Sequence, residues 1–295
     1  MRTLDAGVRV VVEAPATSAN LGPGFDCFGL ALDWRESVEL EVTTSGVAVQ
    51  VTGEGADVLP RDASHLVVRC VTEGLDDLGV RVPGLALRSH NTIPHGRGLG
   101  SSSAAIVAGF VAARALAGLA DDHGWVLRHA TRVEGHPDNV AAAIHGGFVM
   151  AYGHGEGVAV VQGRVHPDLR AAVAVPPVPV ETRAARRLLP AVVPHADAAA
   201  DAGRAALLVH AVADDPRLLH AGTQDWLHQR YREPAMPDAY ALMARLRAAG
   251  FAAAISGAGP SVIVLGTEAD LAGLEAAEPG TRFRRLGIGR AAHAL

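Results

Sequence analysis

Pro94-His95-Gly96-Arg97-Gly98-Leu99-Gly100-Ser101-Ser102-Ser103-Ala104-Ala105 is the stretch on which the reading of this chain turns. Three alternating glycines run into three hydroxyl residues, and an alanine-rich helical pattern continues to about Leu116. Glycine lets a backbone turn tightly and come close to a ligand. The first turn of a helix offers unpaired N–H groups and the positive end of its dipole, which together suit phosphate. A serine at that point can also lend its oxygen to a phosphate-bound Mg2+. The stretch therefore reads as a phosphate cradle, although taken alone it is also compatible with a plain turn and serine caps.

Two better-known phosphate motifs do not fit. The P-loop pattern requires Gly-Lys-Ser/Thr at its end, and all 26 basic residues of this chain are arginine. The dinucleotide fingerprint requires Gly-x-Gly-x-x-Gly, a spacing that Gly96, Gly98 and Gly100 lack. The absence of lysine also excludes Schiff-base chemistry. Positive charge facing a phosphate must come from arginine, a helix N-terminus or a metal.

Composition narrows the remaining classes. A chain of 295 residues is one large domain or two ordinary ones, and 49% hydrophobic against 19% charged residues is enough to bury a core. Only 4% aromatic residues and a formal net charge of −5 argue against nucleic acid and against an anionic membrane surface. No apolar run approaches the ~18 residues of a membrane span. Met1 to Asp5 lacks the apolar core of a signal peptide, and Cys27 and Cys70 are too few for a disulfide scaffold. A cytoplasmic protein is expected.

Alternation predicts strands at residues 8–13, 34–43 and 85–89, with 47–51 as hairpin partner of 34–43 and residues 15–26 as a loop dense in turn formers. Helices are predicted at 64–78, 124–134 and 140–144, followed by a strand at 148–152. Beyond residue 163 the pattern gives strands at 171–175, 251–255 and 262–265, and helices at 183–189, 199–213, 239–249 and 269–278. Strands and helices mix in both halves, so the class is α+β with lobes at 1–165 and 166–295.

Three further segments share the logic of the phosphate loop. Asn20 and Asp26 offer an amide and a carboxylate on a backbone shaped by Gly22, Pro23 and Gly24, suited to a small polar ligand or equally to an Asx-turn. Glu134-Gly135-His136-Pro137-Asp138-Asn139 sets two carboxylates within five residues. Ser256-Gly257-Ala258-Gly259-Pro260-Ser261 is a turn able to close on a ligand, or a tight hairpin.

Together with Gly98-Leu99-Gly100-Ser101-Ser102, and in this order, these segments resemble the GHMP small-molecule kinases over essentially the whole chain. The segments at 15–26 and at Glu134–Asn139 are similar to the branch that phosphorylates the side-chain hydroxyl of L-homoserine to O-phospho-L-homoserine in threonine biosynthesis. The resemblance implies an N-terminal lobe like domain 2 of ribosomal protein S5 and a ferredoxin-like C-terminal lobe, with ATP between them. Residues Pro94 to Ala105, with His65, would bind ATP; Ser102 and Glu134 would hold Mg2+. Asn20, Asp26 and Asn139 would bind homoserine, and Arg186 and Arg232 match the family's substrate-binding arginines. A bidentate guanidinium suits an α-carboxylate, although each arginine also fits a solvated surface charge. His65 stands where the family often carries asparagine, and Arg230 precedes Tyr231 where proline is common.

Some GHMP kinases pair an aspartate with a lysine to activate the hydroxyl, which this chain cannot do. Phosphoryl transfer depends mostly on positioning and charge neutralisation, so no strong general base is expected. The catalytic set is then Asn139 to orient the hydroxyl, Asp138 as the nearby proton acceptor, and Glu134 and Ser102 through the metal. Another small alcohol as substrate, or a nucleotide-binding regulator without catalysis, are the alternatives. A homodimer is left open.

Overall fold

The computed structural model describes residues 2–155 and 157–295; Met1, where the first expected lobe begins, lies outside the described residues. A seven-stranded sheet carries, from one edge, His293–Ala294, Arg9–Asn20, Gly24–Thr43, Gly84–Asn91 and Gly46–Gly53. Phe148–His154 pairs with the start of Gly24–Thr43, through Phe28 to Leu30, and carries Gly157–Gly163 on its other side. The long strand thus serves two partners along its length. Its later half, from Ser37, pairs with Gly84–Asn91.

Helix Ser101–Leu116 packs against this sheet and against helices Leu66–Asp77, His123–Glu134 and Asp138–His145. Its alanines and Gly109 are what a helix buried nearly all round requires. A second, four-stranded antiparallel sheet has the order Ala252–Ile255, Val262–Gly266, Arg170–Ala174 and Phe283–Leu286. Its own core includes Ala239, Leu242, Met243 and Leu246 of helix Pro237–Ala248. The tail then returns to the first sheet, where His293 pairs with Glu13. Among the described residues, no helix is long and apolar enough to cross a membrane.

Three expectations are corrected. Residues 47–51 form no hairpin with 34–43; Gly84–Asn91 lies between the two strands, antiparallel to one and parallel to the other. Thr44-Ser45 is not the Asn-Gly type of pair that closes a two-residue hairpin. The chain instead crosses the end of the next strand, where Gly84 leaves room, since a Cβ there would overlap the Ser45 backbone. Residues 15–26 are mostly strand: Arg9–Asn20 runs through them, and Gly24 begins the next strand after a short turn. Pro15 is accommodated at a register shift between Pro15 and Ala16, where a ladder hydrogen bond is not needed. The helix expected at 269–278 is two short turns, Glu268–Leu271 and Leu274–Ala277, interrupted at Gly273, a residue that destabilises helix interiors. The strand Gly157–Gly163 is one that the sequence pattern does not predict.

Candidate active site

Gly96, Gly98 and Gly100 have φ of 66°, 71° and 66°, the left-handed region that glycine enters without strain. Gly100 is the N-cap of Ser101–Leu116, so the loop delivers the chain directly to that helix's N-terminal amides. The second lobe grips the loop from outside. Ser256 Oγ lies 2.6 Å from the Gly98 carbonyl and 2.8 Å from Ser18 Oγ, and the Gly257 amide donates to Ala19 O at 3.0 Å. A Cβ on Gly98 would overlap the Ser256 carbonyl oxygen. The Ser256–Ser261 turn is therefore a clamp on the glycine loop.

Glu134 closes helix His123–Glu134, and the αL conformation of Gly135 ends it. Its two carboxylate oxygens accept from Ser102 Oγ and Ser103 Oγ, each at 2.8 Å. Beyond Gly135, Asp138 begins the next helix and is buried. Asp138 Oδ1 accepts from the Asn139 amide at 2.7 Å and lies 3.0 Å from His136 Nδ1. That hydrogen bond holds the His136 pKa above its ordinary value, against the opposing effect of burial. Asn139 Oδ1 accepts from Thr17 Oγ1 at 2.8 Å, which fixes the orientation of its amide.

Asn20, Leu21 and Asp26 all have positive φ, at 68°, 53° and 54°. Such strain in non-glycine residues persists where surroundings over-determine it, commonly at ligand sites. Asn20 Nδ2 donates to Gly257 O at 2.9 Å, and its Oδ1 accepts from the Asp26 amide at 3.0 Å. Asp26 receives Arg186 as a bidentate pair, both contacts at 2.7 Å. Beside this pair stands Phe25, whose ring faces Arg186 at 5.4 Å, Arg232 at 5.3 Å and the His228 ring at 5.2 Å.

Arg232 is only 2% exposed. Its Nη1 donates to Gly257 O at 3.1 Å, and its Nε has no partner among the described residues. Burial is the main force lowering its pKa, followed by the neighbouring Arg186; a guanidinium nevertheless stays charged. His228 Nε2 meets Gly22 O at 2.7 Å and ties this region to the strained loop.

One cavity of about 400 Å3 joins these groups. It is lined by Asn20, Asp26, Glu134, Asp138, Asn139, Arg186 and Arg232, and by the loop residues Pro94, His95, Gly96, Gly98, Leu99, Gly100, Ser101, Ser102 and Ala105. His65 lines it as well, with both ring nitrogens unpartnered among the described residues. The side chains of three loop residues, Arg97, Ser103 and Ala104, turn away from the cavity. Arg97 donates to His95 O at 2.6 Å and to Pro177 O, Ser103 holds Glu134, and Ala104 is buried in the core.

Sequence reading missed Thr17, Phe25, His228 and Glu36. Phe25 and Thr17 lie inside the 15–26 segment, but their partners are more than a hundred residues away. Glu36 had a visible signal. It interrupts the inward row Trp34, Val38, Leu40 and Val42 of an alternating strand.

The fold and a cavity walled by a glycine turn that caps a buried helix are those of a small-molecule kinase. Residues 65–147 match the GHMP kinases N terminal domain and residues 198–278 match the GHMP kinases C terminal domain, so the chain belongs to the GHMP kinase family. Within that family it is similar to the homoserine kinase of Streptomyces coelicolor, at 51% identity across 96% of this chain and 92% of that protein. It is 44% identical to the homoserine kinase of Mycolicibacterium vanbaalenii, across 98% of this chain and 95% of the other. A crystal structure of homoserine kinase from Cytophaga hutchinsonii superposes with a TM-score of 0.84 at 29% identity, covering 97% of both chains. Mevalonate diphosphate decarboxylase from Staphylococcus aureus shares the fold, with a TM-score of 0.69 at 15% identity over 99% of this chain and 98% of that one.

Proposed function

We propose that this chain is a homoserine kinase, transferring the γ-phosphoryl group of ATP to the side-chain hydroxyl of L-homoserine in threonine biosynthesis. The observation that carries the substrate assignment is Arg232, a buried cation with an unpartnered Nε in the wall of the cavity. Asp26, Asp225 and Asp138 lie near enough to favour its charge, yet Nε has no partner among the described residues, and a substrate α-carboxylate would complete it. The Asp26–Arg186 pair fits the same substrate. A zwitterion brings an ammonium for Asp26 and a carboxylate for the arginines, so each partner exchanges one ion for another.

The loop amides and the helix N-terminus hold the ATP phosphates. Glu134 and Ser102 present oxygen donors side by side, the hard ligand set that Mg2+ takes, and bound there it would neutralise charge on the phosphates. Asn139, anchored by Thr17, orients the attacking hydroxyl. The hydroxyl oxygen bonds to the γ-phosphorus as the bond to the bridging oxygen breaks; ADP leaves with that electron pair, and the proton passes to Asp138. Because no lysine is present, catalysis rests on alignment and charge rather than on a strong base. Two free cysteines and ATP as co-substrate support a cytoplasmic enzyme. We place the lobe boundary near residue 165, with the tail after Leu286 returning to the first lobe.

The test is Arg232→Ala and Arg186→Ala with L-homoserine and with homoserinol, which lacks the carboxylate. Losing a charged, desolvated contact costs about 2–4 kcal/mol, or roughly thirty- to a thousandfold. The loss is expected mainly in KM for homoserine, with KM for ATP little changed. Wild-type enzyme should use homoserinol poorly, and the variants should discriminate against it much less. Variants that penalise both alcohols equally would remove the carboxylate assignment.

A further inference from the structure

Glu36 stands where the inner face of the first sheet changes from apolar to polar. Trp34, Glu36, Val38, Leu40 and Val42 are alternate buried positions of one strand. On the neighbouring strand the buried row runs Leu85, Leu87, Ser89, Asn91, with Ser89 opposite Val38. Ser89 and Asn91 satisfy each other, and Asn91 Nδ2 donates to Glu54 O at 3.1 Å. Glu36 is not satisfied. It is 5% exposed and accepts from the Ile93 amide, while Oε2 has no partner among the described residues. It nevertheless lines the cavity, in company with His65 and with Pro94 and His95, which lead into the phosphate loop.

We propose that Glu36 reads the nucleobase, its free Oε2 donating to the ring N1 of adenine beside the 6-amino group and disfavouring a 6-oxo purine, whose N1 carries a proton. The inference rests on ATP being the phosphoryl donor. A buried polar atom without a partner is costly unless a ligand completes it, and a base entering beside the phosphate loop does so. Burial pushes the carboxyl pKa up to about 8, so at neutral pH the group offers both an O–H donor and a carbonyl acceptor. Since Oε2 has no partner among the described residues, the Ile93 amide falls to Oε1, which then serves as the carbonyl and leaves Oε2 as the hydroxyl. Adenine offers an N–H donor next to a ring-nitrogen acceptor, whereas hypoxanthine and guanine place a carbonyl acceptor next to an N–H donor. With the ribose and phosphates held, only one order fits an acid whose two oxygens are already distinguished. Sites that hydrogen-bond a substrate group reject analogues lacking it, because their own polar atoms are then left unpaired.

The experiment is calorimetric titration of the full chain with ADP and with inosine diphosphate, which differ at position 6. Wild-type protein is expected to bind ADP at least about tenfold more tightly. Glu36→Leu should lose about tenfold in ADP affinity and bring the ratio close to one, with KM for homoserine unchanged. Glu36→Asp, which keeps the polarity but withdraws the carboxyl by one methylene, should shift the ratio in the same direction and serves if the leucine variant does not fold. Glu36→Gln should keep the preference within about threefold, since an amide retains one donor and one acceptor. A wild-type ratio near one, or a preference unchanged in the leucine or aspartate variant, overturns the proposal. If neither nucleotide binds, the functional reading fails with it. A chain that binds ADP selectively without phosphorylating homoserine refutes that reading and upholds this one.

Discussion

The buried acid at Glu36 has a thermodynamic signature that needs no ligand. Burial raises its pKa from 4.5 to about 8, with the Ile93 amide opposing. The folded chain therefore holds a proton that the unfolded chain has already released between these two values. Stability changes with pH in proportion to protons bound unfolded minus protons bound folded. That difference is negative here, so this group's contribution falls as pH rises from about 4.5 and levels off above about 8. The full loss is about 5 kcal/mol, at 1.36 kcal/mol per pH unit. That is a large share of the roughly 5–15 kcal/mol by which proteins are stable. Glu36→Gln has no proton to lose and nearly the same volume. Urea unfolding of both proteins, nucleotide-free, at pH 5, 6, 7, 8 and 9 isolates the term, because every other titrating group, including His65 and His95 in the same cavity, is common to both. The glutamine variant should gain progressively on the wild type from pH 5 to 8, by several kcal/mol, and hold that margin at pH 9. A margin that stays flat, or one that favours glutamate as pH rises, refutes the burial argument and leaves Glu36 an ordinary carboxylate.

Replacing Ser102 or Glu134 with alanine should lower kcat on the order of a hundredfold or more, as removal of an electrostatic stabiliser does. If both keep near-normal turnover at saturating Mg2+, the metal assignment is wrong. Gly98→Ala places a side chain at φ 71° and against the Ser256 carbonyl, so the clamp must open. A KM for ATP raised at least about tenfold is expected, and normal nucleotide binding in this variant would show that the contact between Ser256 and Gly98 does not shape the loop.

The glycine turn and the helix it caps were legible in the sequence because both are local. Alternating glycines supply backbone conformations that other residues avoid, and the alanine run to Leu116 is the length of the observed helix. The contiguous motifs around Asn20, Glu134 and Ser256 were legible for the same reason. Strand partnership was not. Residues 46–53 follow 24–43 almost directly, yet the strand from 84 to 91 separates them, because pairing is decided by which faces bury together and not by proximity along the chain. The state of each site residue was equally hidden. Arg186 and Asp26 meet across 160 positions, Arg232 is stranded in the interior, and the Ser256 turn closes on Gly98 from 158 positions away. Sequence determined which chemical groups were available and the local turns that carry them. Desolvation and pairing, which set the charge of Glu36 and leave the Arg232 Nε without a partner among the described residues, exist only once distant segments have excluded water around them.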